Sequence, residues 1–400
     1  MNVLFLMIAF PDIKKDSNLY SDLAEEFRKN GHNVYVATLL ENKYNQTTYL
    51  EKVKELNILR VRAGDWFNTN SIIKKGLTTI TLANYFKRAL RKYFNNIKFD
   101  LVISPTPPIT FASVVKYIKK RDNSKSYLIL RDIFPQNVRD LGLLNNRLLF
   151  DYFRKKEKQL YDISDYIGCM SDGNIKYVLE HNNIEESKLE ILYNWGKIEH
   201  NTEVITTDYK KKYGLENKFI AVFGGNIGLP QELEFLLELA KEYRGRDDIV
   251  FLIIGKGAQK QKIVDLIKSE DILNVMIKDF LPRDEYDNLM KQCDIGLINL
   301  SRKFTIPNIP SKTIAYFKAG IPILASTDKN TDYKDLLAKK AKAGLWSETG
   351  DLEEYKSNFE KLLNDKKIRE ELGKNGRNFL EENLSGKKAY QIIIKHFECK

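Results

Sequence analysis

The chain has 400 residues, 43% of them apolar and 30% charged, enough for two or three buried cores and too apolar for global disorder. Lys and Arg exceed Asp and Glu by 65 − 54 = 11, and a pI near 9.1 points to anionic partners: nucleotide phosphates, nucleic acid or an acidic membrane surface. Cys169, Cys293 and Cys399 lie more than 100 residues apart, which excludes a disulfide framework or a Cys-rich zinc site and makes a reducing cytoplasm the expected compartment.

The apolar opening at 3–9 reads as a buried strand; it is too short to span a bilayer, and it lacks the basic flank and cleavage site of a signal peptide. An amphipathic helix follows at 19–29, then Gly31-His32, with His32 expected to cap the turn, and a strand at 34–38. Further strands are expected at 101–104, 127–130 and 166–170, with helical segments between them. Continuous apolar strands separated by helices mark a parallel sheet covered on both faces. The polar, aperiodic stretch 194–207 reads as an interdomain linker. The alternation then restarts: a strand at 219–223, a Gly-rich turn at 224–228, a helix at 231–243, strands at 250–254, 275–277, 295–299 and 322–325, and a helical tail from 352 to 400. Two doubly wound α/β domains in series are the expected fold class.

FGGNIG, residues 223–228, stands between a strand and a helix, where glycines let the backbone turn tightly and approach an anion. An ordinary βα turn is the alternative. Ile309-Pro310-Ser311-Lys312 opens a second helix, with Ser311 as the expected N-cap and the Lys312 ammonium beside it: dipole, donors and charge, the set a diphosphate requires. A routine capped helix with a solvated lysine is the alternative here. The chain contains no DxD pair, HExxH, GxSxG or GxxxxGK[ST], so the signatures of metal-dependent sugar transferases, zinc proteases, serine hydrolases and P-loop NTPases are absent. Its four histidines form no readable metal set.

The succession GHNV (31–34), SPTPP (104–108), RDIFPQNV (131–138), YNW (193–195), FGGNIGLPQELE (223–234), IIGKG (253–257) and IPSKTIAYFKAGIPILAS (309–326) resembles glycosyltransferase family 4. It is most similar to the L-fucosaminyltransferase-like branch acting on bacterial capsule, O-antigen and colanic-acid sugars, and the resemblance runs over essentially the whole chain. It implies the GT-B fold: an acceptor domain at 1–195 rejoined by a helix at about 384–400, and a nucleotide-sugar domain at 208–383, facing across a cleft. It implies a retaining hexosyltransferase with no obligatory metal or other cofactor. Donor contacts would fall on Gly225, Asn226, Gly228, Gln231, Phe280, Leu281, Pro310, Ser311 and Lys312, and acceptor contacts on Ser17, Asn18, Arg131 and Asp132. Lys312 would stabilise the leaving diphosphate and Asp132 would orient the acceptor. Two glutamates common in the wider family are Pro307 and Ala315 here, and its Arg/Lys pair is replaced by Asn226 and Gln231, as in the resembled branch.

The branch resemblance implies transfer of a sugar carried by UDP, an N-acetylated amino sugar or a 6-deoxy amino sugar, to a polyprenyl-diphosphate-linked glycan precursor at the inner face of the cell membrane. The alternatives are a UDP-sugar 2-epimerase, for which no His/Glu/Asp set can be assembled, and a silent GT-B subunit partnering another transferase. No nucleic-acid motif accompanies the positive charge. Residues 71–98 carry Lys74, Lys75, Lys87, Arg88, Arg91, Lys92 and Lys98 and no acidic residue, with Leu82, Tyr85, Phe86, Ala89, Leu90, Tyr93 and Phe94 at helical spacing. Such a stretch either lies on anionic lipid with its aromatics dipping in, or is a core-packed helix with a solvated basic face.

Overall fold

A computed structural model describes residues 1–66, 72–198 and 207–398, with the backbone alone for 72–77. Ser71, most of the 194–207 linker, Cys399 and the side chains of Lys74 and Lys75 therefore lie outside the described residues. The chain forms two compact units, residues 1–197 with 385–400, and residues 198–384.

The first unit is built on an eight-stranded sheet with order β3-β4-β2-β1-β5-β6-β7-β8. In chain order the strands are β1 (Asn2–Met7), β2 (Asn33–Leu40), β3 (Tyr49–Val53), β4 (Leu56–Arg62), β5 (Leu101–Pro105), β6 (Lys125–Leu130), β7 (Tyr166–Cys169) and β8 (Leu189–Ile191). All pairings are parallel except β3 with β4, a hairpin that stands where helix alone was expected. Residues 3–7 of β1 are fully buried, as a strand covered by helices on both faces requires. The edge strand β3 alternates instead and carries Glu51 and Lys52, which discourages pairing with another chain.

Asn18 begins the helix Leu19–Lys29 through a capping box with Ser21, and Leu23, Ala24 and Phe27 form its buried face. Against that helix packs the last one, Gly386–Ile394, so the chain's end returns to the first sheet as expected. His32 caps its turn through the backbone, its N–H donating to the Phe27 carbonyl as the Gly31 N–H donates to that of Arg28. Its ring lies near Phe27 and Tyr390, its Nε2 is 3.0 Å from the Tyr390 hydroxyl, and burial lowers its pKa.

The helix Ile72–Tyr93 settles the two readings of the basic stretch in favour of packing. Leu82, Phe86, Ala89 and Leu90, with Phe94 beyond its end, are buried in the core against Leu4, Leu6 and Val102, and the Tyr93 hydroxyl donates to the Thr48 carbonyl at 2.8 Å. These side chains are not available to dip into lipid; Tyr85 remains exposed, as do Arg88, Arg91 and Lys92. Among the described residues no helix is long and apolar enough to cross a membrane.

The second unit holds a six-stranded, all-parallel sheet with order β11-β10-β9-β12-β13-β14. Its strands are β9 (Phe219–Asn226), β10 (Ile249–Lys256), β11 (Val275–Lys278), β12 (Ile295–Asn299), β13 (Ile323–Thr327) and β14 (Gly344–Glu348). The chain runs outward from β9 through β10 to β11, then crosses back to β12, so strand order reverses beside β9. Ligands of open α/β sheets bind at the carboxyl ends of the strands at such a reversal.

Tyr390 ties the returning helix to the rings of Phe27 and His32. Tyr390→Ala is expected to cost about 3 kcal/mol and Tyr390→Phe about 1 kcal/mol in chemical denaturation followed on the first domain; equal effects would remove the aromatic contact from the account.

Candidate functional site

At the carboxyl ends of β9 and β10 the register sets Gly225 opposite Gly255 and Asn226 opposite Lys256. The approach is too close for side chains: a Cβ on Gly255 would stand 1.8 Å from the Gly225 carbonyl oxygen, and one on Gly257 2.1 Å from that of Ile227. Gly225 has φ +132° and Gly255 φ +157°, so both need glycine on backbone grounds as well. The Ile227 N–H donates to the Lys256 carbonyl and the Gln259 N–H to the Ile227 carbonyl, locking the two loops together.

The glycines do not form the expected turn. β9 continues through them to Asn226, a short turn Leu229–Gln231 follows, and the helix starts at Leu233 rather than 231. Gln231 shapes this bend: its Oε1 accepts from the Gly228 N–H at 3.2 Å and from Asn226 Nδ2 at 3.4 Å. Asn226, Gly228 and Gln231 are thus one hydrogen-bonded unit. Glu232, at φ +40°, anchors the far side by accepting from the backbone N–H and Nε of Arg302.

Ser311 is not the N-cap expected of it. It is exposed, while Lys312 already has helical backbone angles ahead of the helix Thr313–Ala319 and no side chain caps that helix. The chain enters through a tight turn on Pro310, whose carbonyl accepts from both the N–H and the Oγ1 of Thr313, so a capping serine in extended geometry has no place.

Lys312 folds back toward the glycines. A Cβ on Gly225 would lie 3.8 Å from its Cε, and its Nζ stands 3.4 Å from the centroid of the Phe223 ring. That ammonium is enclosed and has no hydrogen-bond partner, and burial holds its pKa well below the lysine range. The face of Phe223 offsets part of the cost of the charge. Enclosing an amine without a carboxylate costs free energy that an anion beside it would offset. The base of the enclosure is rigid: the Tyr316 hydroxyl bonds the Val222 and Leu297 carbonyls and receives the Gly224 N–H, pinning β9 and β12 under the glycines.

Phe280 and Leu281 follow β11 at the same end of the sheet. Phe280 is 71% exposed, with Lys256 Nζ 5.7 Å from its ring, an open aromatic face beside the glycine loops. Pro307 lies in the loop before Pro310 and Ala315 in the helix after Lys312, and neither supplies a carboxylate. Sequence reasoning missed Asp328. Its carboxylate accepts from the N–H groups of Asn330 and Thr331 and from Thr331 Oγ1, and burial pushes its pKa up to about 6. Through Thr331 Oγ1 to the Asn308 N–H, and Asn330 Nδ2 to the Phe304 carbonyl, it holds the loop leading to Lys312. The D-x-x-T spacing was the available signal.

In the first domain Arg131 and Asp132 follow β6, and both backbone N–H groups donate to Thr106 Oγ1. Burial raises the Asp132 pKa, opposed by Arg131, and lowers that of Arg131, whose Nη1 is enclosed without a partner. Tyr20, which sequence reasoning also missed, is close enough for its hydroxyl to feel both charges. The Asn18 oxygen is committed to capping, accepting from the N–H groups of Tyr20 and Ser21. The Ser17 N–H donates to Asp16 Oδ1. Among the described residues no three His, Cys, Asp or Glu side chains gather as a metal site.

Residues 205–379 match the family described as Glycosyl transferases group 1. The chain is 23% identical over 314 residues to "Uncharacterized glycosyltransferase MJ1069" of Methanocaldococcus jannaschii, covering 77% of this chain and 78% of that protein. It is 23% identical over 252 residues to "Putative colanic acid biosynthesis glycosyl transferase WcaI" of Escherichia coli K12, covering 60% of each. Among solved structures, sucrose-phosphate synthase from Thermosynechococcus elongatus superposes with a TM-score of 0.76 at 13% identity, covering 99% of this chain and 98% of that one. Anabaena Alr3699/HepE in complex with UDP superposes at 0.71 and 11%, covering 99% of both. The two parallel-sheet domains are those of the GT-B fold.

Replacing the enclosed amine should stabilise the protein. Lys312→Met is expected to raise unfolding free energy by about 1–3 kcal/mol near neutral pH. Because the folded-state pKa is depressed, the wild-type deficit is full below it and shrinks as pH climbs toward the unfolded value of about 10.4. Denaturation curves across that range test this; a Met variant less stable than wild type would contradict it.

Proposed function

We propose that this chain, whose second domain is a glycosyl transferases group 1 domain, is a retaining glycosyltransferase that moves a sugar from a UDP donor to a lipid-linked precursor of a bacterial surface polysaccharide. The observation that carries the reading is the unpartnered Lys312 ammonium beside Gly225 at the strand-order reversal. A nucleoside diphosphate supplies what it lacks. The diphosphate would lie over Gly225 against Lys312, with the Asn226–Gln231 unit at its side and Phe280 and Leu281 toward the base. HepE, solved with UDP, lends the carrier its support, and WcaI, named for colanic acid biosynthesis, lends the polysaccharide context. An N-acetylated amino sugar as cargo follows from the branch resemblance.

In the reaction the bond from the anomeric carbon to the phosphate oxygen breaks as the acceptor oxygen bonds to that carbon on the same face. Negative charge grows on the departing diphosphate, and Lys312 stabilises it in an enclosed setting where a charge counts most. The departing phosphate oxygen takes the acceptor proton, which leaves Asp132 to orient the hydroxyl. A cytoplasmic place at the inner membrane face suits a lipid-linked acceptor, and the exposed Arg88, Arg91 and Lys92 provide cations for anionic lipid.

Calorimetry with UDP tests the site. Lys312→Ala is expected to weaken binding by one to two orders of magnitude, since a charge-assisted hydrogen bond is worth about 1.5–3 kcal/mol. Wild-type binding should take up protons, because the anion raises a depressed lysine pKa. Equal affinity in both proteins would remove Lys312 from the site.

Chelation separates the mechanism from a metal-dependent one. UDP release with a sugar donor and an extracted lipid-linked acceptor should survive EDTA largely intact; loss of turnover restored by manganese or magnesium would overturn the metal-independent account.

A further inference from the structure

The first domain contains a pocket of about 430 Å³, within the range of small-molecule sites, in which eleven of fourteen lining residues are apolar. Ile80 of the helix Ile72–Tyr93, Ile109 after β5, Phe134 after β6, and Leu143, Leu149 and Phe153 before and on the helix Arg147–Ile163 carry its walls. Its polar members are Thr79, Asp132 and Asn137. The Asn137 Oδ1 is enclosed without a partner, and the equally unpartnered Nη1 belongs to Arg131, whose charge is felt by Asp132.

Such walls do not suit a sugar. A glycan presents a hydroxyl at nearly every carbon, and each one buried without a partner costs about 1–3 kcal/mol. They suit a hydrocarbon chain with a polar terminus. The rim continues this character to the surface: Ile80, Leu143 and Leu149 line the pocket and are also 46%, 48% and 40% exposed, whereas Leu148, next to Leu149 in the chain and 81% exposed, does not line it. Three part-exposed aliphatic side chains lining an apolar cavity are an entry path for apolar material.

We infer that this pocket holds the hydrocarbon chain of the amphiphilic acceptor, leaving its polar end beside Asp132 and Asn137. That the amphiphile is an acceptor rests on the glycosyl-transfer reading; the binding of a chain here does not. The inference relocates lipid recognition from the helix Ile72–Tyr93, whose apolar stripe is core, to the pocket that this helix shares with the segment 134–153.

Farnesyl phosphate and dodecyl phosphate are the probes, with inorganic phosphate as the headgroup control, read by calorimetry and by the fluorescence of Trp66, a pocket-lining residue, with Trp66→Phe as reference. At least one chain phosphate should bind saturably to the full-length wild type. Ile80→Glu and Leu149→Glu, both at half-exposed positions that tolerate a charge, should weaken it at least tenfold. Leu148→Glu, outside the pocket, should change it less than twofold. Retained circular dichroism and unchanged UDP affinity verify that each variant is folded. Equal binding in the pocket variants, a Leu148→Glu loss as large as theirs, binding of neither chain phosphate, or inorganic phosphate matching them would overturn the inference. UDP binding without chain binding would sink the pocket and leave the transferase; chain binding through the pocket without UDP binding would do the reverse.

Discussion

An amine enclosed without a counter-charge is the constraint around which the second domain is arranged. Lys312 reaches its position because Pro310 forces a tight turn, because Gly225 offers no Cβ, and because Phe223 gives the ammonium an aromatic face. Place a carboxylate nearby and the charge would be neutralised and the anion site lost. Fold stability alone would favour that pair or an apolar residue, and the bare amine is what the proposed anionic ligand would complete.

The glycines make the same trade in backbone terms. Gly225 and Gly255 sit at φ values that side chains rarely adopt, and the Gly255 and Gly257 approaches would place a Cβ about 2 Å from a carbonyl oxygen. Glycine at a strand end costs conformational entropy and gives up packing. What it gains is open space above β9 and β10, beside Lys312. Around that space the polar side chains are spent on each other: Gln231 on Asn226 and Gly228, Glu232 on Arg302, Asp328 on Thr331. The walls are thereby fixed before any ligand arrives, which is how a site avoids reorganising when charge develops.

The sheet architecture was legible because its central strands are buried on both faces, which leaves unbroken apolar runs such as 3–7 and 220–223. Where that condition fails, several strands escaped the reading, although the edge strand β11 did not. β3 and β4 form an edge hairpin of mixed polarity, and β8 and β14 are a short and an edge strand whose partly exposed residues break the run. Lys312 was legible from its motif, but Ser311 was misread because the local cap signal says nothing of the Pro310 turn that pre-empts it. The backbone cap at Gly31-His32 was legible, but the contact of the His32 ring was not, its partner Tyr390 lying 358 residues away. Tyr20 and the Glu232–Arg302 pair were missed because their roles arise from contacts between segments that no local pattern announces, whereas Asp328 had a local signal in its D-x-x-T spacing.

The net charge of +11 first suggested anionic partners, yet it explains little of how an anion would be held. Most lysines here are exposed, and many are paired with carboxylates, as Lys262 is with Glu234 and Lys356 with Glu242. Two unit charges 4 Å apart attract by about 1 kcal/mol in water but about 4 kcal/mol at an effective dielectric of 20. Salt further screens exposed charges beyond about 10 Å. For an anion held beside it, one enclosed and unpaired amine would therefore outweigh several surface lysines. On the proposed function the surface charge would have only the long-range task of bringing anions near, and Lys312 would discriminate among what arrives.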